Sequence, residues 1–324
     1  MKNQSTLFLI AFVACAIVGI IILQTNMEKR DSKAQFTIGI LQTTSHPALD
    51  MAKEGFMKTI SAELSGTADF VCRNALGSID KLEHYAREYH ENKTVNAIFA
   101  LGTPAAQAIA NIEKDKPIII AAVTDPHELG LIYKHTNVTG SSDMTDPKYQ
   151  INYLKQLMPQ VKTVAIMYTA TELNSSIVAK KMIEALLHAG LNPLEIAFDA
   201  ESTLLASIDN ALTNADVLFI PTDNTLSSMI QTIAQRAHKS KKPVWVCDNT
   251  LVAHQSILAS YGIDYETNGI QAARAAIAVL TENKKPYEIA VTHAPKDILL
   301  INKKTLRELQ LKVPVELEPW AKLV

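Results

Sequence analysis

The chain predicts an α/β protein of two lobes in tandem, each wrapped around a parallel sheet, and three observations carry that prediction. Apolar runs of strand length alternate with helical runs from Phe36 onward. Continuous apolar strands separated by helices mark a parallel sheet covered on both faces. The alternation pauses once, at 130–146, in a stretch rich in Thr, Ser, Asn and Gly, and then restarts. Finally, four strand ends break into the same kind of polar loop: Gly102-Thr103-Pro104-Ala105-Ala106-Gln107, Thr124-Asp125-Pro126, residues 169–176, and Pro221-Thr222-Asp223-Asn224-Thr225. Open α/β sheets bind ligands outside the carboxyl ends of their strands. These loops therefore predict a small-molecule cleft between two Rossmann-like lobes, and a length of 324 residues suits two domains better than one.

The elements follow in order. A first strand is read at 36–41, and 49–64 shows helical spacing, with Met51, Phe56, Ile60 and Leu64 apolar. A short strand at 69–73 precedes a helix to Tyr89 that Asp80 would cap. A strand at 95–101, a helix at 104–112 and a strand at 117–123 complete the first alternation. The second opens with a helix at 148–157, stopped by Pro159. Strands follow at 163–168, 194–198, 215–220 and 243–247, with helices at 175–188, 203–212 and 226–239 between them. Gly190 stands where a helix C-terminus places glycine. Beyond Cys247 the pattern loosens. A strand at 257–261, a helix at 268–280, an apolar run at 297–301 and a last helix at 303–309 read as crossings back between the halves.

Composition narrows the function. A net charge of -2 offers no basic field for nucleic acid, and 6% aromatic residues leave little for stacking single strands. The cysteines, Cys15, Cys72 and Cys247, form no C-x-x-C or Cys/His cluster. No metal or other cofactor is expected, and buried free thiols are the simpler reading. The chain has no G-x-G-x-x-G after its first strand, no phosphate loop and no G-x-S-x-G elbow, so catalysis is not expected. The N-terminal run 7–23 is unbroken apolar or Gly residues, at the short end of the ~17–25 needed to span a bilayer. An uncleaved membrane anchor is the preferred reading and a cleaved signal peptide the alternative; both export the remainder.

Several strand-end residues invite a ligand, and each has a plainer role. Thr103-Pro104 caps a helix, and behind it the N–H groups of Ala105 and Ala106 would suit a carboxylate. The Thr124 hydroxyl could orient a polar group, whereas Asp125 before Pro126 is foremost a turn former. Asp223, Asn224 and Asp248 could pair an ammonium or simply cap helices, and His46 could bond a ligand or sit in solvent.

The loops also carry a likeness. Ile38-Gly39-Ile40-Leu41-Gln42 leads to His46-Pro47-Ala48-Leu49-Asp50 and then to Thr103-Pro104-Ala105-Ala106-Gln107. Further on come Ala121-Ala122-Val123-Thr124-Asp125-Pro126, Asn137-Val138-Thr139-Gly140, Pro221-Thr222-Asp223-Asn224-Thr225 and Gly262-Ile263-Asp264-Tyr265. In this order they resemble the ABC transporter substrate-binding proteins of the tryptophan-binding, TrpX-like type, from about Phe36 to the C-terminus. The chain departs from that pattern at Thr169-Ala170-Thr171-Glu172, where Asn-Pro-Ser-Glu is frequent in the family.

The resemblance implies a type I periplasmic-binding-protein-like fold, two Rossmann-like lobes joined by a three-crossing hinge. A signal or anchor segment, 1–33, would precede lobe 1 (34–145 plus about 262–296) and lobe 2 (146–261 plus about 297–324). It places Thr44, His46, Leu49, Thr103, Ala105, Thr124 and Asp125 on the cleft wall of the first lobe. Glu172, Asn174, Ser175, Asp223, Asn224 and Asp248 would face them from the second. The function implied is an extracytoplasmic solute-binding protein of an ABC importer. Held to the inner membrane of the periplasm by its N-terminal helix, it would capture an amino acid, aromatic ones included, and serve the membrane permease as a monomer. N–H groups near Ala105 with the Thr103 and Thr124 hydroxyls would hold the carboxylate, and Asp223 or Asp248 the ammonium. Two rival readings use the same cleft, an anchored ligand sensor and an exported enzyme.

Overall fold

The computed structural model describes residues 35–199, 201–293 and 298–324. The run 7–23 and Cys15 lie outside them. Among the described residues no helix is long and apolar enough to cross a membrane.

The first unit runs β1 (Phe36–Gln42), α1 (Pro47–Glu63), β2 (Ala68–Asn74), α2 (Ile79–Glu91), β3 (Ala97–Leu101), α3 (Thr103–Ile112), β4 (Ile118–Val123) and β5 (Val138–Ser142). The second begins with α4 (Pro147–Leu157), β6 (Thr163–Thr169), α5 (Leu173–His188), β7 (Asn192–Phe198), α6 (Leu204–Asn214) and β8 (Val217–Ile220). It continues through α7 (Asn224–Ser228), α8 (Ile230–Lys239), β9 (Val244–Val246) and β10 (Ile257–Gly262). The chain then returns to the first sheet with α9 (Tyr265–Thr281) and β11 (Thr292–His293), and ends in the second with β12 (Ile298–Ile301), α10 (Lys303–Glu308) and β13 (Ala321–Leu323). The sheet orders are β11-β5-β4-β3-β1-β2 and β13-β12-β10-β9-β8-β6-β7, so the backbone passes between the sheets after β5, after β10 and after β11.

Both faces of each sheet are covered, which is why the central strands are apolar throughout. In the first unit Ile38, Ile40, Phe99 and Leu101 pack on one side with Ala52 and Phe56 of α1 and Ala272 of α9. On the other side Leu41, Ile98 and Ile120 meet Leu82 and Tyr89 of α2 and Ile109 of α3. The second unit repeats the plan. Ile166, Phe219 and Trp245 lie on one side with Met182 of α5, and Met167, Leu218 and Val246 on the other with Ile208 and Ile233. At the end of α5 the Gly190 N–H donates to Leu187 O and the Leu191 N–H to Leu186 O, with Gly190 at φ 73. This is the left-handed glycine terminus that the sequence marks.

The structure also departs from the sequence reading. The stretch 130–146 contains β5, whose Thr139, Ser141 and Ser142 have no exposed surface. Its hydroxyls are satisfied inside the protein, Ser142 Oγ by Val123 O and Ser141 Oγ by Gln271 Oε1, so polar composition there does not signal a loop. The α2 helix is capped by Ser78, whose Oγ accepts from the Lys81 N–H, and Asp80 falls in its first turn. The α3 helix begins at Thr103, with Gly102 as its cap at φ 86. The helix expected at 226–239 is split at Met229 into α7 and α8. The late apolar strand β12 pairs antiparallel with β10, against the parallel rule of the rest. Cys72 is exposed, because β2 is an edge strand, while Cys247 is buried.

Candidate functional site

The loops at the strand ends of the two sheets face each other across a small chamber. Its lining includes His46, Leu49, Thr103, Ala122, Thr124, Asp143 and Tyr265 from one side, and Asn174, Thr222, Asp223, Asn224, Ser227 and Asp248 from the other. Thr103 and Asp223 therefore share one cavity. The chamber measures about 20 Å³, room for one water. Beside it lies an open groove of about 630 Å³ between the two units, bordered by Thr44, Leu76, Gln107, Glu172, Leu173 and Asn224.

The side chains divide into those already satisfied and those left open. Asp223 is saturated: its carboxylate accepts from Thr169 N at 2.7 Å, Thr169 Oγ1 at 2.9 Å, Ser175 Oγ at 2.5 Å and Leu226 N at 2.8 Å. Glu172 is similarly engaged, by Asn224 N and Nδ2 and by Thr225 N and Oγ1. Both carboxylates brace the turn into α7. Burial, and then the Glu172 charge, push the Asp223 carboxyl above its usual range.

Among the described residues, three acceptors at the chamber have no hydrogen-bond partner. His46 Nε2 lies 3.2 Å from Asn224 Oδ1. Because Asn224 Nδ2 is the group donating to Glu172, Oδ1 is the acceptor and His46 Nε2–H the donor. Neutral His46 then presents Nδ1 as an acceptor, and this buried atom is unbonded. Asn174 donates its Nδ2 to Thr222 O and Glu172 Oε2, and its buried Oδ1 is unbonded. Asp248 accepts from Thr250 N and Oγ1, both on Oδ1, which leaves Oδ2 free. Buried polar groups are ordinarily paired, and each exception asks for an explanation.

Asp143 adds a second buried acid. It accepts from Thr124 Oγ1 at 2.8 Å and Tyr265 Oη at 3.4 Å. Burial, together with the nearby Asp248 charge, pushes its carboxyl up to about 6. Burial also raises Asp248, with the Thr250 hydroxyl and N–H opposing. A folded-state value above the unfolded one means stability that is present below pH 3.8 and lost as pH rises through about 6. Asp143→Asn is therefore expected to equal or exceed the parent in thermal stability at pH 7.5 and to lose that advantage by pH 5. Melting curves at the two pH values check this; an advantage that does not depend on pH contradicts it.

The structure sorts the sequence candidates plainly. His46, Leu49, Thr103, Thr124, Asn174, Asp223, Asn224 and Asp248 are brought together on the chamber wall. Thr44 and Glu172 border the groove. Ala105 and Ser175 lie behind the wall: the Ala105 N–H donates to Thr43 Oγ1 and the Ser175 hydroxyl to Asp223. The amide expected to hold a carboxylate is thus already used. Asp125 stands away from both cavities, at φ 45 in a turn closed by the Glu128 N–H, and pairs with Lys181 Nζ at 3.0 Å. Five chamber residues escape the sequence candidates: Ala122, Asp143, Thr222, Ser227 and Tyr265. Tyr265 belongs to the quoted Gly262–Tyr265 string, whereas Asp143 follows the Ser-rich strand read as a boundary.

Comparison with known proteins identifies the family. The profile of a family described as ABC transporter substrate binding protein matches residues 37–323. The chain is 33% identical over 292 residues to a tyrosine-binding protein of Clostridioides difficile (strain R20291), covering 88% of this chain and 84% of that one. Among solved structures it is similar to an ABC domain in complex with L-Trp from Streptococcus pneumonia, at 28% identity and a TM-score of 0.83 over 89% of this chain and 99% of that one. A ligand-free, open substrate binding protein with adhesive properties from Clostridium difficile gives 29% identity and a TM-score of 0.68 over the same shares. The chain belongs to the ABC transporter substrate binding protein family, whose members bind a substrate and are not enzymes.

Proposed function

We propose that the protein is the extracytoplasmic solute-binding component of an ABC importer and captures an aromatic amino acid by closing its two lobes. The observation that carries this reading is the set of unpaired acceptors, His46 Nδ1, Asn174 Oδ1 and Asp248 Oδ2, around a chamber walled by both lobes. An ammonium supplies three donors and one positive charge, which answers the unpaired atoms and the neighbouring Asp143 together. Relatives named for tyrosine and bound to L-Trp support the aromatic side chain. The groove reached past Asn224 is the space into which that side chain extends.

Closure is part of the reading. A chamber of about 20 Å³ cannot admit an amino acid, so the lobes part for entry and close around the ligand. Thr124 Oγ1 and Thr222 Oγ1 lie 3.1 Å apart across the divide, and His46 meets Asn224 there. The greater similarity to the L-Trp complex than to the open, ligand-free relative fits a closed form. Contacts to both lobes favour the closed state only through the ligand's greater affinity for it. The permease would then meet the closed shape, with the protein held at the membrane by its N-terminal helix.

Calorimetry of the full-length chain in detergent against the twenty amino acids tests the reading. Heat from tyrosine or tryptophan is expected, and silence from all twenty overturns it. Closure makes a second prediction. Lys181 Nζ, on α5, lies 3.0 Å from Asp125 Oδ2 and 2.9 Å from Glu128 Oε2 on the opposite lobe. Partly exposed ion pairs contribute little, so Lys181→Met is expected to weaken affinity only about threefold, and less at high salt. An unchanged affinity at low salt contradicts the latch.

A further inference from the structure

We propose that the chamber recognises the ligand's ammonium and gives its carboxylate no cationic partner, so primary aromatic amines lacking the carboxylate are ligands as well. This rests on the solute-binding reading above and narrows the chemistry of its site.

The helix-start N–H groups that would hold an anion are already engaged within the protein. The N–H groups of Asn224, Thr225 and Leu226 at the start of α7 are taken by the Glu172 and Asp223 carboxylates. At the start of α3, the Ala105 N–H is held by Thr43 Oγ1 and the Ala106 N–H by Gly102 O. No Lys or Arg lines the chamber. The Thr124 hydroxyl donates to Asp143, and the Tyr265 hydroxyl reaches the same carboxylate. With Thr124 donating there, the Thr222 hydroxyl is the donor to Thr124 Oγ1. The side-chain hydroxyl protons left among the lining residues are those of Thr103 and Ser227.

The open groups are acceptors instead. Asn174, 4% exposed, lines the chamber and has an unpaired Oδ1, and His46 Nδ1 and Asp248 Oδ2 add two more. Asp143, Asp223 and Asp248 place acidic groups around the same space. A ligand carboxylate entering this field meets like charge, whereas an ammonium meets three acceptors and opposite charge. Hydrogen bonds to charged partners are the strong ones, and a buried charge without a partner is costly. Removing the carboxylate therefore takes away a group to which the lining side chains offer only two hydroxyls and no cation. Removing the ammonium strands the acceptors.

The test is calorimetry of the full-length chain with matched probes: tyrosine, tyramine, 3-(4-hydroxyphenyl)propionate and N-acetyltyrosine, with tryptophan and tryptamine as a second series. The expected result is an amine dissociation constant within about tenfold of its amino acid, with no detectable heat from the propionate or the acetylated compound. An amine that binds more than about tenfold weaker than its amino acid overturns the inference and leaves amino-acid binding intact. So does a propionate that binds as well as the amino acid. Silence from every compound in both series removes the solute-binding reading, and this inference with it.

Discussion

Asp248→Asn is expected to weaken ligand binding by about two orders of magnitude while the unliganded protein keeps its fold. The substitution is nearly isosteric, and Asn Oδ1 retains the bonds that Thr250 N and Oγ1 make to the native oxygen. What changes is the free Oδ2, which becomes an N–H donor aimed where the ligand ammonium is proposed to sit. Removing one partner of a buried, hydrogen-bonded charge pair costs about 2–5 kcal/mol. The unliganded protein gains by the same change, because burial disfavours the carboxylate in the empty chamber. Titration calorimetry and thermal melts together check this: affinity falls while the unliganded melting temperature holds or rises. An affinity within threefold of the parent, or a collapsed melting temperature, refutes it. Asp223→Asn behaves differently, since all four of its bonds come from donors and an amide accepts on one atom only. That variant is expected to lose stability along with binding.

The contrast between these two aspartates shows how far the sequence could be read. Both follow a buried strand, and sequence alone puts Asp223 somewhat ahead of Asp248 as a partner for an ammonium. Their difference depends on Thr169 and Ser175, which reach Asp223 from another strand end and another helix. Lateral hydrogen bonds of that kind leave no periodic trace. The alternation of strands and helices, the polar strand ends and the pairing of Thr103 with Asp223 across one cavity were legible, because burial on both faces and helix capping are local requirements. The strand β5 was not legible. Its Ser and Thr hydroxyls find partners in Val123 and in Gln271 of α9, at long sequence distance. Asp143, which follows β5, was lost with it, and so was the acid that faces Tyr265. Ala122 was hidden for a similar reason. It stands at φ 53, a conformation unusual for a residue with a Cβ, and is held there by Asn268 Oδ1 accepting from its N–H.

Gly269→Leu is expected to destabilise the first lobe by about 3–5 kcal/mol and to lower the melting temperature by about 10 °C. Gly269 needs no special backbone angle; what it needs is space. A Cβ at this position would fall 1.9 Å from the Ala52 carbonyl oxygen of α1, and one at Gly55 would fall 2.4 Å from the Glu266 carbonyl oxygen of α9. The two helices therefore touch backbone to backbone, and a rigid main-chain atom cannot move aside as a flexible side-chain tip can. Any larger residue must push α9 off α1. The separation opens voids beside Ala52, Phe56, Ala272, Ala273 and Ala276, none of which has exposed surface, and disturbs the Phe56–Phe99 stack at 3.7 Å. Voids of that kind forfeit both transfer energy and packing contacts. The damage extends to the chamber, since α9 also carries Asn268, which holds Ala122, and Tyr265, which meets Asp143. Ligand affinity should therefore fall together with stability. Gly66→Ala is the control: a methyl group there would meet nothing within 4 Å, and φ is 76, so strain of about 1 kcal/mol is its whole expected effect. Urea denaturation of the two variants decides the matter, and a Gly269→Leu loss no larger than that of the control contradicts the close helix contact.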